Sequence, residues 1–94
     1  LLALPAGYYT VQLLGSRSEE NVRRFIRQSS LGDARYFETS LEGKPWFVVV
    51  LGSYPALSDA AAVLESLPQD LQSLKPWIRS IGGIQADLNE AADG

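Results

Sequence analysis

The segment EGKPWFVVVLGSY, residues 42–54, decides the fold. Glu42 and Gly43 are typical of a tight turn between antiparallel strands, and the preceding ARYFETSL, residues 34–41, has the composition of a strand. The segment is then apolar at every position from Trp46 to Leu51, whereas a strand with one face in water alternates apolar and polar residues. The pattern indicates a hairpin whose second strand is either buried on both faces or carries an apolar ligand-binding face.

Periodic patterns on both sides extend this hairpin into a domain. Alternation predicts a strand at 8–15 and a short strand at 76–83, and apolar residues at helical spacing predict helices at 16–32 and 57–67. The order β-α-β-β-α-β is that of a two-layer α+β sandwich of the RNP or ferredoxin-like type. We therefore predict a four-stranded antiparallel sheet with two helices on one face, an open second face, and a short C-terminal helical turn within 84–94.

Length and termini predict one domain. The 94 residues suit a single core, which we place at 8–88, with a linker tail at 1–7 and a flexible C-terminal tail at 89–94. Because the chain begins with Leu1 rather than Met, we expect it to be a piece of a longer protein. Any signal peptide or membrane anchor would then lie upstream.

Composition disfavours several classes of function. The sequence contains no Cys and no His, which removes the thiolate and imidazole metal ligands and the commonest general base. Eight basic and eleven acidic residues give a net charge of −3, which argues against a nucleic-acid partner. No phosphate-binding loop or nucleophile–base pair is present, so we expect no catalytic residues, no metal and no cofactor.

The strand patterns predict which side chains face outward. In the first strand the more apolar set is Tyr9, Val11 and Leu13, so Gln12 is expected on the open face. The third strand allows two assignments. We choose the one that places Trp46 and Val48 outward, because Trp46 at the strand start can lie over the rim of the sheet; in the other, Trp46 packs into the core.

An open sheet face with aromatic and amide side chains suits two classes of ligand. Nucleic-acid bases stack on aromatic rings, and sugar rings do so through their apolar C–H groups. The hydroxyl groups of a sugar would then find polar partners in Gln12 and Ser16. Each of these residues also has an ordinary structural interpretation: Trp46 and Trp77 as packing residues, and Gln12 as an exposed strand residue.

Four segments together resemble a SPOR domain, most closely the one that ends the DamX-type bacterial cell-division proteins. They are YYTVQLLGS (8–16), FETSLEGKPWFVVVLGSY (37–54), DAAAVLESLP (59–68) and KPWIRSIGGIQADL (75–88). The resemblance covers nearly the whole chain. It implies the sandwich predicted above and a domain that binds peptidoglycan, in particular "denuded" glycan strands from which amidases have removed the stem peptides.

The resemblance also implies a site on the open face. Gln12 and Trp46 match the glycan-binding Gln and Trp of the family, and Trp77 matches a Trp of its DamX-like members. The family often has Ser three residues after the Gln, where this chain has Gly15; the neighbouring Ser16 either supplies that hydroxyl or the contact is lost. Val48 makes the floor of the groove more apolar.

Two further residues are candidates for contact with the glycan. Arg79 lies on the same side of the fourth strand as Trp77 and could pair with the carboxylate that stem-peptide removal leaves on N-acetylmuramic acid; the alternative is a solvated edge residue. Tyr36 could add a second aromatic surface.

We therefore predict a non-catalytic module that binds denuded glycan strands. It would be the periplasmic part of an inner-membrane envelope protein, held there by an upstream anchor and targeted to the division septum. Two alternatives stay open: a protein-interaction domain that docks a division partner on the apolar face, and an RNA-binding domain of the same topology, which predicts a basic platform and salt-dependent affinity.

Overall fold

The computed structural model describes residues 5–29 and 32–93. Its elements are strand β1 (Tyr9–Ser16), helix α1 (Glu19–Ser29), strands β2 (Ala34–Leu41) and β3 (Lys44–Tyr54), helices α2 (Leu57–Ser66) and α3 (Gln69–Gln72), strand β4 (Trp77–Ser80) and helix α4 (Ile81–Asp93). The strands form one antiparallel sheet in the order β2-β3-β1-β4. The predicted α+β class and strand–helix order are confirmed.

The β2–β3 hairpin closes through the predicted turn. Glu42 and Gly43 both have positive φ angles, 56° and 77°, and they connect the paired residues Leu41 and Lys44. Positive φ at both central positions is the type I′ geometry, whose twist matches that of the flanking strands. The turn thereby sets the register that places Trp46 opposite Thr39.

One face of the sheet, here called the proximal face, packs against α1 and α2. Val22 of α1 and Ala60 of α2 are buried in one cluster with residues of the two central strands. The strand members of this cluster are Val11, Leu13, Phe47, Val49 and Leu51. The predicted assignment of the third strand is therefore confirmed, since Trp46, Val48 and Val50 lie on the opposite, distal face.

The distal face is not wholly open, because α4 covers part of it. Val48 and Val50 are each 2% exposed and form a second buried cluster with Ile84 of α4, flanked by Phe37 and Leu88. Ile84 and Leu88 are one helical turn apart and so share a helix face. The short helical turn that the sequence predicted is thus a 13-residue amphipathic helix.

The C-terminal boundaries differ from the sequence prediction for a local reason. The last strand ends at Ser80 rather than at residue 83, and the Ser80 hydroxyl accepts a hydrogen bond of 3.0 Å from the Gly83 N–H. This is the bond that an N-cap serine makes to the first turn of a helix. The stretch expected to be a linker at 68–76 also contains the single turn of α3.

The first described residues of the chain contact the start of α4. The N–H of Ile81 donates to the Tyr8 carbonyl over 2.8 Å, and that of Gly82 donates to the Ala6 carbonyl over 3.0 Å. Ala6 of the expected linker tail therefore contacts the domain, while residues 1–4 lie outside the described chain. Most of the expected tail at 89–94 belongs to α4, which runs to Asp93; residue 94 lies outside the described residues.

Candidate functional site

A bulge in β1 brings Gln12 and Gly15 to the same face of the sheet. Leu13 and Leu14 both pack against the proximal cluster, and the pairing with β3 shifts register between Gln12 and Leu14. In a regular strand, residues three positions apart lie on opposite faces. Because of the bulge, Gln12 pairs with Val50 and Gly15 with Val48, so both belong to the distal face.

The indole ring of Trp46 lies against the backbone of Gly15. A β-carbon at Gly15 would be 2.5 Å from Cζ2 and 2.8 Å from Nε1 of this ring, closer than real contacts allow. The ring therefore occupies the space that any other residue's side chain would fill. Gly15 acts by allowing this close approach rather than by contributing a polar group.

Arg79 joins three elements of the distal face. Its Nη1 donates to Oε1 of Gln12 on β1 over 3.1 Å, and its Nη2 donates to Oδ2 of Asp87 on α4 over 2.5 Å. The Arg79 side chain is only 18% exposed and that of Asp87 is 47% exposed. The pair therefore ties α4 to the sheet edge and largely neutralises the guanidinium.

The contact with Arg79 determines how Gln12 presents its amide. A guanidinium only donates, so the amide oxygen must face Arg79 and the amide nitrogen must point elsewhere. Gln12 thus offers N–H donors to a ligand, and the groups it can recognise are acceptors such as carbonyl, hydroxyl or ring oxygens.

Trp77 is the most exposed aromatic ring on this face. It pairs with Gln12 across β1 and β4, and 53% of its surface is accessible. The guanidinium carbon of Arg79 lies 5.3 Å from its ring centroid, a cation–π distance that favours one ring orientation. We call the surface made by Gln12, Gly15, Trp46, Trp77, Arg79 and Asp87 the distal site.

Two predicted site residues stand apart from this surface. Ser16 pairs with Phe47 on the proximal side, and its hydroxyl accepts the Ser18 N–H over 3.0 Å at the start of α1. The bulge reverses the alternation that would have placed Ser16 beside Gln12, so Ser16 does not replace the hydroxyl absent at Gly15. Val48 is on the distal face as predicted, but its burial against α4 leaves almost no surface for a ligand.

Tyr36 also lies on the proximal side, contrary to its proposed role as an outer aromatic surface. Its ring packs at 6.5 Å from that of Phe47, and its hydroxyl donates to Glu19 and accepts from Nε of Arg23, each over 2.9 Å. The hydrogen bond to Tyr36 and the nearby Glu19 charge raise the pKa of Arg23 above its ordinary value. Phe37, the next residue, is the one that faces the distal cluster.

Sequence reasoning missed Asp87 and Arg17. Asp87 becomes relevant only because α4 folds back over the sheet, which the Ile84–Leu88 spacing could have indicated. Arg17 directly follows β1, and its guanidinium carbon lies 5.3 Å from the Trp46 ring centroid. No sequence motif marks it.

The distal site combines aromatic surface, amide donors and a guanidinium paired with the Asp87 carboxylate. These groups are suited to contact with a ligand that has apolar faces and acceptor atoms. Within residues 5–29 and 32–88, no group of three acidic side chains is arranged to hold a metal ion. Among the helices of the described chain, none has the length and apolar character needed to cross a membrane.

Replacing Arg79 with methionine is expected to lower the free energy of unfolding by about 1–2 kcal/mol, because two partly buried charge-assisted hydrogen bonds are lost. Urea denaturation followed by circular dichroism measures the change. Arg24→Met is the matched control: its ion pair with Glu20 is solvent-exposed, and its loss should change the stability by less than about 0.5 kcal/mol. Equal effects of the two substitutions would contradict a joining role for Arg79.

The sequence of this chain is similar to those of known proteins. The model of the SPOR domain family matches residues 5–80. The chain is 34% identical over 86 residues to the cell division protein DamX of Serratia marcescens. The match covers 92% of this chain but 40% of that protein, so the chain spans about two fifths of the length of this relative.

Proposed function

Because the chain belongs to the SPOR domain family, we propose that it is a non-catalytic module that binds peptidoglycan through the distal site. The observation that carries the proposal is the exposed Trp77 ring beside a Gln12 amide whose orientation Arg79 determines. An aromatic ring next to oriented donors is suited to a ligand with apolar faces and acceptor oxygens at its edges, as a sugar chain has.

The chemistry of the glycan matches these groups one by one. A pyranose ring stacks on Trp77 or Trp46 through its axial C–H groups. The N-acetyl groups of both peptidoglycan sugars present carbonyl oxygens, which the Gln12 amide N–H groups can bind. Because one small surface offers few such contacts, a single domain should bind with modest affinity.

The preferred ligand, in this proposal, is a denuded strand. A stem peptide adds a bulky branch at every substituted N-acetylmuramic acid, and α4 stands directly beside the binding surface through Asp87. A bare strand can lie flat on the sheet next to α4, whereas a substituted strand must direct its peptides away from it. Exclusion of the branched form would supply specificity without any added contact.

At the level of the whole protein, we propose a targeting role. The relative from Serratia marcescens is named as a cell division protein, and denuded strands arise where amidases cleave the septal wall. A domain that binds them would bring its parent protein to the division septum. The parent would be an inner-membrane protein whose periplasmic part includes this domain, with the membrane anchor upstream of this chain and division proteins as further partners.

A sedimentation experiment with purified sacculi tests the proposal. Amidase-treated sacculi should retain more of the wild-type domain than untreated ones, and Gln12→Ala should remove most of this gain. Gln28→Ala, an exposed substitution on α1, is the control and should behave as wild type. If neither kind of sacculus retains the wild-type domain, the glycan proposal is wrong, and the distal site must be tested against protein partners and RNA.

A further inference from the structure

Arg17 holds a guanidinium in a defined position at the edge of the distal site. Its Nη1 donates to the carbonyl oxygens of Leu41, Lys44 and Pro45 over 3.0, 3.1 and 3.0 Å, which anchors it to the β2–β3 turn. Its guanidinium carbon lies 5.3 Å from the centroid of the Trp46 ring. An arginine held by one nitrogen and stacked on a ring is already ordered, so a ligand that binds it loses little side-chain entropy.

The charge of Arg17 is not neutralised within the described part of the chain. All three of its hydrogen bonds go to carbonyl groups, and no acidic side chain there forms an ion pair with it. The residue is exposed, and its hydrogen bonds use Nη1 alone. Arg79 is the opposite case, because Asp87 and Gln12 occupy both of its terminal nitrogens.

We propose that Arg17, rather than Arg79, is the residue that pairs with a carboxylate of the bound glycan. This inference rests on the function proposed above. The carboxylate is the lactyl group of N-acetylmuramic acid, which is free and negatively charged in a denuded strand. In a strand with stem peptides the same carbon belongs to a neutral amide. Arg17 would thus favour denuded strands by attraction, in addition to any exclusion of the branched form.

The test compares two ligands and two proteins. The ligands are a denuded glycan of defined length and the same glycan with its lactyl carboxylates reduced to alcohols. The proteins are wild type and Arg17→Gln. Calorimetry at low salt measures the four affinities. Wild type should bind the reduced glycan about two- to fivefold more weakly, the size expected for one exposed ion pair. Arg17→Gln should bind both glycans equally.

This design separates the charge of Arg17 from its structural contacts. If Arg17→Gln acted only by disturbing Trp46, it would weaken binding to both glycans by the same factor. The ratio of the two affinities would then keep its wild-type value. The inference is wrong if Arg17→Gln still binds the carboxylate form more tightly than the reduced form, or if wild type binds both forms equally. In the first case, the same comparison with Arg79→Gln tests whether Arg79 pairs with the carboxylate. A wild type that binds neither glycan overturns the proposed function itself.

Discussion

Trp77→Ala is expected to weaken binding of denuded glycan about 10- to 100-fold, because loss of an aromatic stacking surface typically removes ~1–3 kcal/mol of binding energy. The melting temperature should change by less than about 3 °C, since the ring is 53% exposed and leaves no cavity. Calorimetric titration and thermal unfolding measure the two quantities on the same protein.

The matched control for Trp77 is an equally exposed apolar side chain far from the site. Leu57, at the start of α2, is 55% exposed, and Leu57→Ala should leave the glycan affinity unchanged. If Trp77→Ala binds as wild type does, the outer edge of the sheet does not contact the glycan and the distal site must be redrawn around Trp46.

Ile84→Ala is expected to have the largest effect on stability. Ile84 of α4 is fully buried against Val48 and Val50 of β3. Truncation of such a residue lowers the free energy of unfolding by about 2–4 kcal/mol, because apolar burial is lost and a cavity is left behind. In a domain of this size the melting temperature should fall by about 10–20 °C. Hydrogen exchange should accelerate most in α4.

The control for Ile84 is a position on the exposed side of the same helix. Ala86→Ser should lower the melting temperature by no more than about 3 °C, since the residue is exposed and only helix propensity changes. If Ile84→Ala melted like Ala86→Ser, α4 would not be held on the distal face, and its place beside the binding surface would have to be abandoned.

The sequence was sufficient for the first three strands because their signals are local. The Glu42-Gly43 turn and the alternating residues around it determine the hairpin, and the apolar set of the first strand identifies the face that meets the helices. The position of Trp46 on the distal side was a separate choice between two assignments of the third strand, and the burial of Phe47 and Val49 confirms it. The choice relied on a tryptophan at a strand start, where a ring can extend over the sheet.

The sequence predictions were wrong where a single residue reverses the alternation of a strand or ends one element and begins another. Leu13 and Leu14 are both apolar, so the pattern gives no sign that both face the core; only Gly15 marks the bulge that moves Ser16 to the other side. The sequence prediction also extended the fourth strand through Gly82 and Gly83, whereas the strand ends at Ser80. The capping position of Ser80 and the helical spacing of Ile81, Ile84 and Leu88 would have indicated α4 instead.

The contacts that organise the distal site could not be inferred from the sequence. Gln12 and Arg79 are 67 positions apart, and Arg17 meets the β2–β3 turn across 24 to 28 positions. Such contacts follow from strand order and register, which propensity and periodicity do not specify. The residue types of the site were predictable from the sequence. The fold determines that the guanidinium of Arg79 is paired with a carboxylate and that, among the described residues, that of Arg17 is not.

The most direct test of the central claim is the affinity of the wild-type domain for two glycan chains of equal length, one denuded and one carrying stem peptides. Nuclear magnetic resonance titration reports the affinities and the residues that respond. We predict that the denuded chain binds at least about tenfold more tightly, a difference of ~1.4 kcal/mol, and that shifts centre on Gln12, Trp46 and Trp77. Equal affinities, or shifts confined to the α1 and α2 side, would contradict the account.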